Sequence, residues 1–327
     1  MHEYLNDDGL VLLALCSAFG LPENGGDLTP FKLSEWNQLA KRIAASAFKQ
    51  PFGLSGRHAD ELARELSLAA EEADRVARLL DRSGQLAMEL ENLFSRGMWA
   101  VTRVDKLYPA KLRDTLKHQA PTVLFGVGDI HLFRRAGIAV VGSRNIDETG
   151  AAFAKEIGHK AVAAGLPVVS GGARGTDRIA MDGALEAGGI ALGALADSLE
   201  TTIRKPDVRQ FLMEEKLALV TPYAPTAGFS VGAAMGRNKV IYGLADFAVV
   251  VSSEHESGGT WSGAVEALKA GWCPVFAREG EDVPKGNREL QKLGASPLPE
   301  SELRGIVDLP EWMQRHVATK LFQPDLI

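Results

Sequence analysis

The chain has 327 residues, 46% of them hydrophobic and 24% charged, with a formal net charge of −6, which is the make-up of a globular protein able to bury a core in one large domain plus a smaller one. Only two cysteines, Cys16 and Cys273, occur, which excludes a disulfide framework and a zinc site of cysteine spacing. The apolar run near the N-terminus follows acidic residues and falls short of the ~20 residues of a membrane span, so a cytoplasmic protein with no membrane partner is expected.

Charge is unevenly spread. Residues 1–92 carry 9 Lys/Arg against 15 Asp/Glu, residues 93–145 carry 9 against 3, and residues 146–327 carry 18 against 24. The basic strip reads equally as a polyanion footprint or as a solvated helix face bearing Lys111, Arg113 and Lys117.

In chain order, residues 1–92 read as a small all-helical domain. "LSEWNQLAKRIAASAF" starts on a cap candidate, Ser34, and spaces Trp36, Leu39, Ile43 and Phe48 as a helix does. "ADELARELSLAAEEADRVARLLDRS" is rich in helix formers. From about Trp99, "MWAVTRV" and "PTVLFGVGD" read as strands around "LYPAKLRDTL". Strand and helix patterns then alternate: "GIAVVGS", "LPVVSGG", "IALGALA", "LALVTPY", "DFAVVVSS" and "CPVFARE" are apolar runs separated by helical stretches, among them Asp177–Ala187 and Trp261–Ala270. Such runs are strands covered on both faces. The predicted fold class is therefore α/β, a doubly wound, mostly parallel, extended Rossmann-like sheet over residues 93–300. Residues 301–327 read as a short tail without a clear element pattern.

Ligands of such a sheet bind beyond the carboxyl ends of its strands. Three loops there combine small residues and hydroxyls before a helix: Gly142, Ser143, Arg144 and Asn145; Ser170, Gly171, Gly172, Arg174, Gly175, Thr176 and Asp177; and Ser257, Gly258, Gly259 and Thr260. Free N–H groups at a helix N-terminus favour an anion, glycine allows close approach, and Arg144 and Arg174 add charged forks. A plainer reading stands beside each loop: a glycine that only permits a turn, a threonine that only caps, an aspartate that only complements the helix dipole. A fourth segment, "GRNK", is predicted to open the helix before "DFAVVVSS" and brings Arg237, Asn238 and Lys239. No P-loop, full dinucleotide fingerprint or nucleophile elbow occurs, and the seven histidines lack metal spacing. No catalytic residue, metal or cofactor is assigned.

"VVGSRN", "VVSGGARGTDRIAMDGALEAGG", "GRNKVIYGLAD" and "ESGGTWSGAVEALKAGWCPVFA" follow one another as they do in the DprA/Smf DNA-processing family, which the chain resembles over about residues 93–280. The upstream "LYPAKLRD" and "APTVLFGVGD" match its lead-in. The resemblance implies a Rossmann-like domain that binds single-stranded DNA, protects incoming strands and loads a RecA-type recombinase during transformation, as a homodimer and without catalysis. Position by position, it implies that Arg144, the "SGGARGTD" loop, and Arg237, Asn238 and Lys239 line the strand-binding pocket. The chain departs from the family at Met181, where a His is usual. It also reads Ala234, Met235 and Gly236 where an aromatic-Pro-basic run is usual, which removes an expected stacking ring; Phe229 lies five residues earlier, as a substitute ring or as core. "DSLETTIRKPD" replaces the family's "Tyr-Pro…Asn", and no winged helix is expected at the C-terminus. The alternative is an enzyme resembling nucleotide phosphoribohydrolases, with Glu266 opposite Arg174, or a sensor of a nucleotide-derived signal.

Overall fold

The computed structural model describes residues 4–21 and 28–317. Five helices come first: α1 (Asp7–Cys16), α2 (Leu33–Ala45), α3 (Ala59–Leu66), α4 (Ala70–Asp81) and α5 (Ser83–Ser95). Leu62 and Leu66, with Ala73, Val76 and Leu79, repeat at helical spacing and so form one apolar side each on α3 and α4. They close a small core with Trp36, Leu39 and Ile43 of α2 and with Val11, Leu12 and Leu15 of α1. α1 is apolar around most of its circumference because it serves two cores: Leu13 and Ala14 join Leu86, Leu90 and Leu93 of α5 against the sheet. The expected division at residue 92 falls inside α5.

The sheet begins with β1 (Met98–Thr102), α6 (Ala110–Leu116) and β2 (Val123–Val127). It continues through β3 (Ile138–Gly142), α7 (Glu148–Ala163), β4 (Val168–Ser170), α8 (Thr176–Glu186) and β5 (Ala191–Ala194). Two short helices, α9 (Leu199–Thr202) and α10 (Pro206–Met213), lead to β6 (Leu217–Thr221). Then come α11 (Val231–Leu244), β7 (Phe247–Ser252), α12 (Gly258–Ala270), β8 (Val275–Glu279), α13 (Lys285–Lys292) and β9 (Ser296–Pro299). α14 (Glu300–Leu303) and α15 (Leu309–His316) end the described chain.

Among the described residues the sheet runs β1-β2-β6-β5-β4-β3-β7-β8-β9. β1/β2 and β2/β6 are antiparallel and the other pairs parallel. Side chains alternate between faces along each strand: Ile138 and Val140 enter one core, with α7 and α8, while Ala139 and Val141 enter the other, with α6, α11 and α12. Both faces are covered, which is why these strands read as unbroken apolar runs. The α/β class, mostly parallel, is as expected. From β3 the chain winds outward through β4, β5 and β6, then returns to the other side of β3 as β7. The loops leaving β3 and β7 therefore diverge to opposite faces and leave a crevice between them.

Three segments differ from the sequence expectations. α11 starts at Val231, where the Ser230 side chain accepts the Ala233 N–H, so "GRNK" sits in mid-helix rather than at a helix start. Gly232 and Gly236 weaken the helical pattern ahead of it, which hides the true start. The ninth strand was not expected: "SPLP" has prolines at alternate positions, which only an edge strand tolerates, and β9 pairs on the β8 side alone. The expected tail also carries structure, since Leu309 and Met313 of α15 enter the sheet core; its residues 318–327 lie outside the described residues.

Asn287 on α13 fixes the loop that leaves β7. Fully buried, it accepts the Ser253 N–H (2.9 Å) and donates toward the carbonyls of Val250, Val251 and Arg278 at 3.1–3.3 Å. Asn287→Ala strands these groups without water, so urea titration should show a lower midpoint at unchanged slope, a loss of about 2 kcal/mol.

Candidate functional site

The crevice between β3 and β7 is a cleft of about 400 Å³. Gly142, Ser143 and Arg144 form one wall, Ser257 to Thr260 the opposite one, and Asp177, Arg237, Asn238 and Tyr242 line it between them. The Ser143 N–H donates to the Ser252 carbonyl (2.9 Å), which ties the two diverging loops together. An adjoining groove shares Arg144 and is lined by Asn145, Arg174 and Gly175; there Arg174 Nη2 donates to Asn145 Oδ1 (2.7 Å).

The three loops look alike in sequence but differ in what occupies their helix ends. In the first, Ser143 Oγ folds back to donate to the Asn145 carbonyl (2.8 Å), and Asp147 caps α7 through the Gly150 N–H (2.6 Å). In the second, Thr176 donates both its N–H (3.1 Å) and its hydroxyl (3.0 Å) to the Ser143 carbonyl. Ser170 is buried and donates to the Val140 carbonyl (2.5 Å). The glycines here make room for the protein's own atoms. A Cβ at Gly171 would run into the Arg237 guanidinium and Asp177, and one at Gly142 into Thr176. Gly175, at φ +87°, faces the Ser143 and Arg144 carbonyls. Gly172, at φ +67°, lines a separate small cavity away from the cleft.

The third loop is the open one. Ser257 makes no side-chain cap bond to α12, and among the described residues no atom outside the adjoining chain and helix backbone stands within 4 Å of where a Gly258 Cβ would be. The first N–H groups of α12, in the wall of the cleft, are thus without a side-chain acceptor among the described residues, the arrangement that receives an anion. Asn238 Nδ2 donates to the Gly259 carbonyl (2.9 Å) and holds this turn against α11. Lys239, next on α11, lines neither cleft nor groove.

Arg237 is only 6% exposed. It donates through Nη1 to the Ala194 carbonyl, its Nε has no partner among the described residues, and it lies beside Asp177. Burial lowers its pKa, while Asp177 and Asp197 oppose that shift. Burial likewise raises Asp177 from 3.8 to about 6, even though Arg237 and the N–H groups of Ala173 and Gly171 favour its charged form. Tyr242, also buried and lining the cleft, has a hydroxyl without a partner among the described residues. Tyr242 escaped the sequence reading, although its place one helical turn after Asn238 puts it on the same side of α11.

Phe229 is half exposed, not core, and lies under Arg144, whose guanidinium carbon stands 4.9 Å from the ring centroid. Ala234 lines the cleft, whereas Met181 is buried in the sheet core. Four of the nine cations of the basic strip are held by the fold. Arg96 pairs with Glu200 (2.6 Å), Lys111 with Asp246, Arg103 with Asn37, and Arg135 with the Gly165 carbonyl; only Arg144 of the strip lines the cleft. Glu266, on which the hydrolase alternative turns, is exposed and lines none of these cavities. Among the described residues no group of acidic, His and Cys side chains could hold a metal, and no helix is long and apolar enough to cross a membrane.

Asp177 binds its proton more tightly in the folded chain than in the unfolded one. The stability this confers is complete below about pH 4 and is lost as pH rises through about 6, a fall on the order of 3 kcal/mol. Urea midpoints measured across that window should show the decline, and Asp177→Asn should flatten it whatever its own baseline stability.

Comparison with known proteins bears on the same segment. Protein Smf of Escherichia coli K12 is 28% identical over 230 residues, covering 67% of this chain and 60% of that protein. DNA processing protein DprA of Streptococcus pneumoniae is 29% identical over 182 residues, 55% of this chain and 60% of that one. The chain thus spans about three-fifths of the length of these curated relatives. The X-ray structure of the Streptococcus pneumoniae DprA superposes with a TM-score of 0.60 at 22% identity, covering 85% of this chain and 98% of that one. DNA processing protein A of Helicobacter pylori gives 0.53 at 21% identity, covering 67% and 97%. The family model of DNA recombination-mediator protein A matches residues 99–304, from β1 to α14 and including every wall of the cleft, and the chain belongs to that family.

Proposed function

We propose that the chain binds single-stranded DNA in the cleft between β3 and β7, through phosphate contacts and without catalysis. One observation carries this reading: the α12 N-terminus, lacking a side-chain cap among the described residues, shares with Arg144 the lining of a cleft that the buried Arg237 also lines. A phosphate between them would accept from the N–H groups of Gly258, Gly259 and Thr260 while Arg144 neutralises its charge. The neighbouring groove beside Arg144 and Arg174 gives a following phosphate a second place to rest. The Helicobacter pylori protein of similar fold is described for its single-stranded DNA binding mode, which supports the same reading here. With it goes the family's implied context: a homodimer that protects strands and passes them to a RecA-type recombinase.

Backbone contacts of this kind release counterions, so the logarithm of the binding constant should fall linearly with the logarithm of salt concentration. In a salt-titrated binding curve with an oligothymidylate, Arg144→Ala should weaken binding severalfold and reduce the slope by about 0.7, one phosphate contact on a single strand. Undetectable binding by the unaltered chain, or a curve insensitive to salt, would sink the proposal.

A further inference from the structure

A second arginine is buried on the face of the sheet opposite α11. Arg278 lies two residues after Phe276 on β8 and so shares its face, the one that α7 covers. It is 0% exposed, and its guanidinium carbon stands 5.9 Å from the ring centroid of Phe153 on α7. Gly150, in the first turn of α7, admits it: a Cβ there would run into Arg278 Nη1. Nε donates to Glu300 Oε1 on α14 (2.5 Å), and Nη1 stands 3.8 Å from Oδ1 of Asp147, the residue that caps α7. Neither Nη1 nor Nη2 has a hydrogen-bond partner among the described residues.

Packing alone does not call for a charge here, since an apolar side chain of similar volume fills such a site as well or better. What Arg278 adds is a link between the two walls of the cleft. Its side chain lies under the start of α7, where Asp147 follows Arg144 by three residues and lines the adjoining groove. Its carbonyl serves the other wall: it accepts Asn287 Nδ2 (3.1 Å), and Asn287 Oδ1 in turn accepts the N–H of Ser253 (2.9 Å), which lines the cleft. One residue thus reaches the footing of both walls, and Glu300 anchors it to the C-terminal segment. On the strand-binding reading above, we propose that Arg278 is a positioning residue for the cleft: held by Glu300, it fixes the β3–α7 loop relative to the β7–α12 loop, and so Arg144 relative to the α12 N-terminus. Groups set in place before a strand arrives leave less freedom to be lost on binding.

Two variants of the full chain test this. Arg278→Met keeps the volume and removes the charge, and Glu300→Ala removes the anchor while leaving the arginine. Amide hydrogen exchange should quicken in both at two segments far apart in sequence, residues 143–151 and 253–260, while β4 and β5 stay protected. In salt-titrated anisotropy with an oligothymidylate, each should bind about fivefold more weakly, the scale of one group left to be ordered on binding, with the salt slope unchanged. The double variant should bind no more weakly than either alone, because both act through one link. A merely structural role would lower the urea midpoint and leave the affinity of the folded protein where it was, and that result overturns the proposal. So does unchanged exchange at either wall in Arg278→Met, or a slope lowered by one phosphate contact, which would make Arg278 a direct ligand. If the unaltered chain binds no strand, the strand-binding reading falls, and exchange at the two walls still decides whether Arg278 links them.

Discussion

The buried guanidinium of Arg237 is the constraint around which the cleft is organised. A charge that is 6% exposed must find partners inside the protein. Arg237 finds the Ala194 carbonyl at the end of β5 and the neighbouring carboxylate of Asp177. The Arg237 guanidinium and the Asp177 carboxylate crowd the position where a side chain at residue 171 would begin, so glycine is required there by close approach rather than by backbone angle. This cluster links the carboxyl ends of β4 and β5 to the middle of α11. It also explains the shift at Asp177. The surroundings are dry enough that burial outweighs a nearby cation and lifts the Asp177 pKa.

From that cluster follows a division of labour among the loops. The β4–α8 loop is spent on internal bonds: its hydroxyls serve Val140 and Ser143, and its glycines admit Arg237, Asp177 and the Ser143 and Arg144 carbonyls. It therefore acts as a rigid support. The β7–α12 loop is held from beneath, by Asn287 on the Ser253 N–H and by Asn238 on the Gly259 carbonyl, and keeps its own N–H groups available. Rigid backing behind an open helix terminus is what allows N–H groups to stay oriented without a ligand to order them.

Much of this was legible in the sequence, for reasons that also mark the limits. Strands such as "GIAVVGS" and "DFAVVVSS" are apolar throughout because helices cover both faces, and that pattern is local. So are the three Gly- and Ser-rich loops and their place at strand ends. β9 is different: its prolines argue against a strand unless one already knows that it lies at an edge. Which glycines border open space was not legible either, since "SGGARGTD" and "ESGGTW" look equivalent until the partner in space is known. For Gly171 that partner is Arg237, 66 positions along the chain. Likewise the basic strip is continuous in sequence, yet its cations are dispersed to Glu200, Asp246 and Asn37, contacts that no window of neighbouring residues could reveal.

The departures from the family pattern also acquire a physical sense. A ring at position 234 would stand on α11; in this chain the ring precedes that helix, at Phe229, and a small residue at 234 lines the cleft instead. Successive residues of a helix point about 100° apart and rise 1.5 Å. The exposed Met235 and the buried Arg237 therefore face different ways from nearly the same height on α11. One rigid element thus presents apolar surface at the rim and holds a cation inside. Their spacing is fixed by helix geometry and not by loop conformation, which leaves Arg144 over Phe229 as the bridge between the two environments.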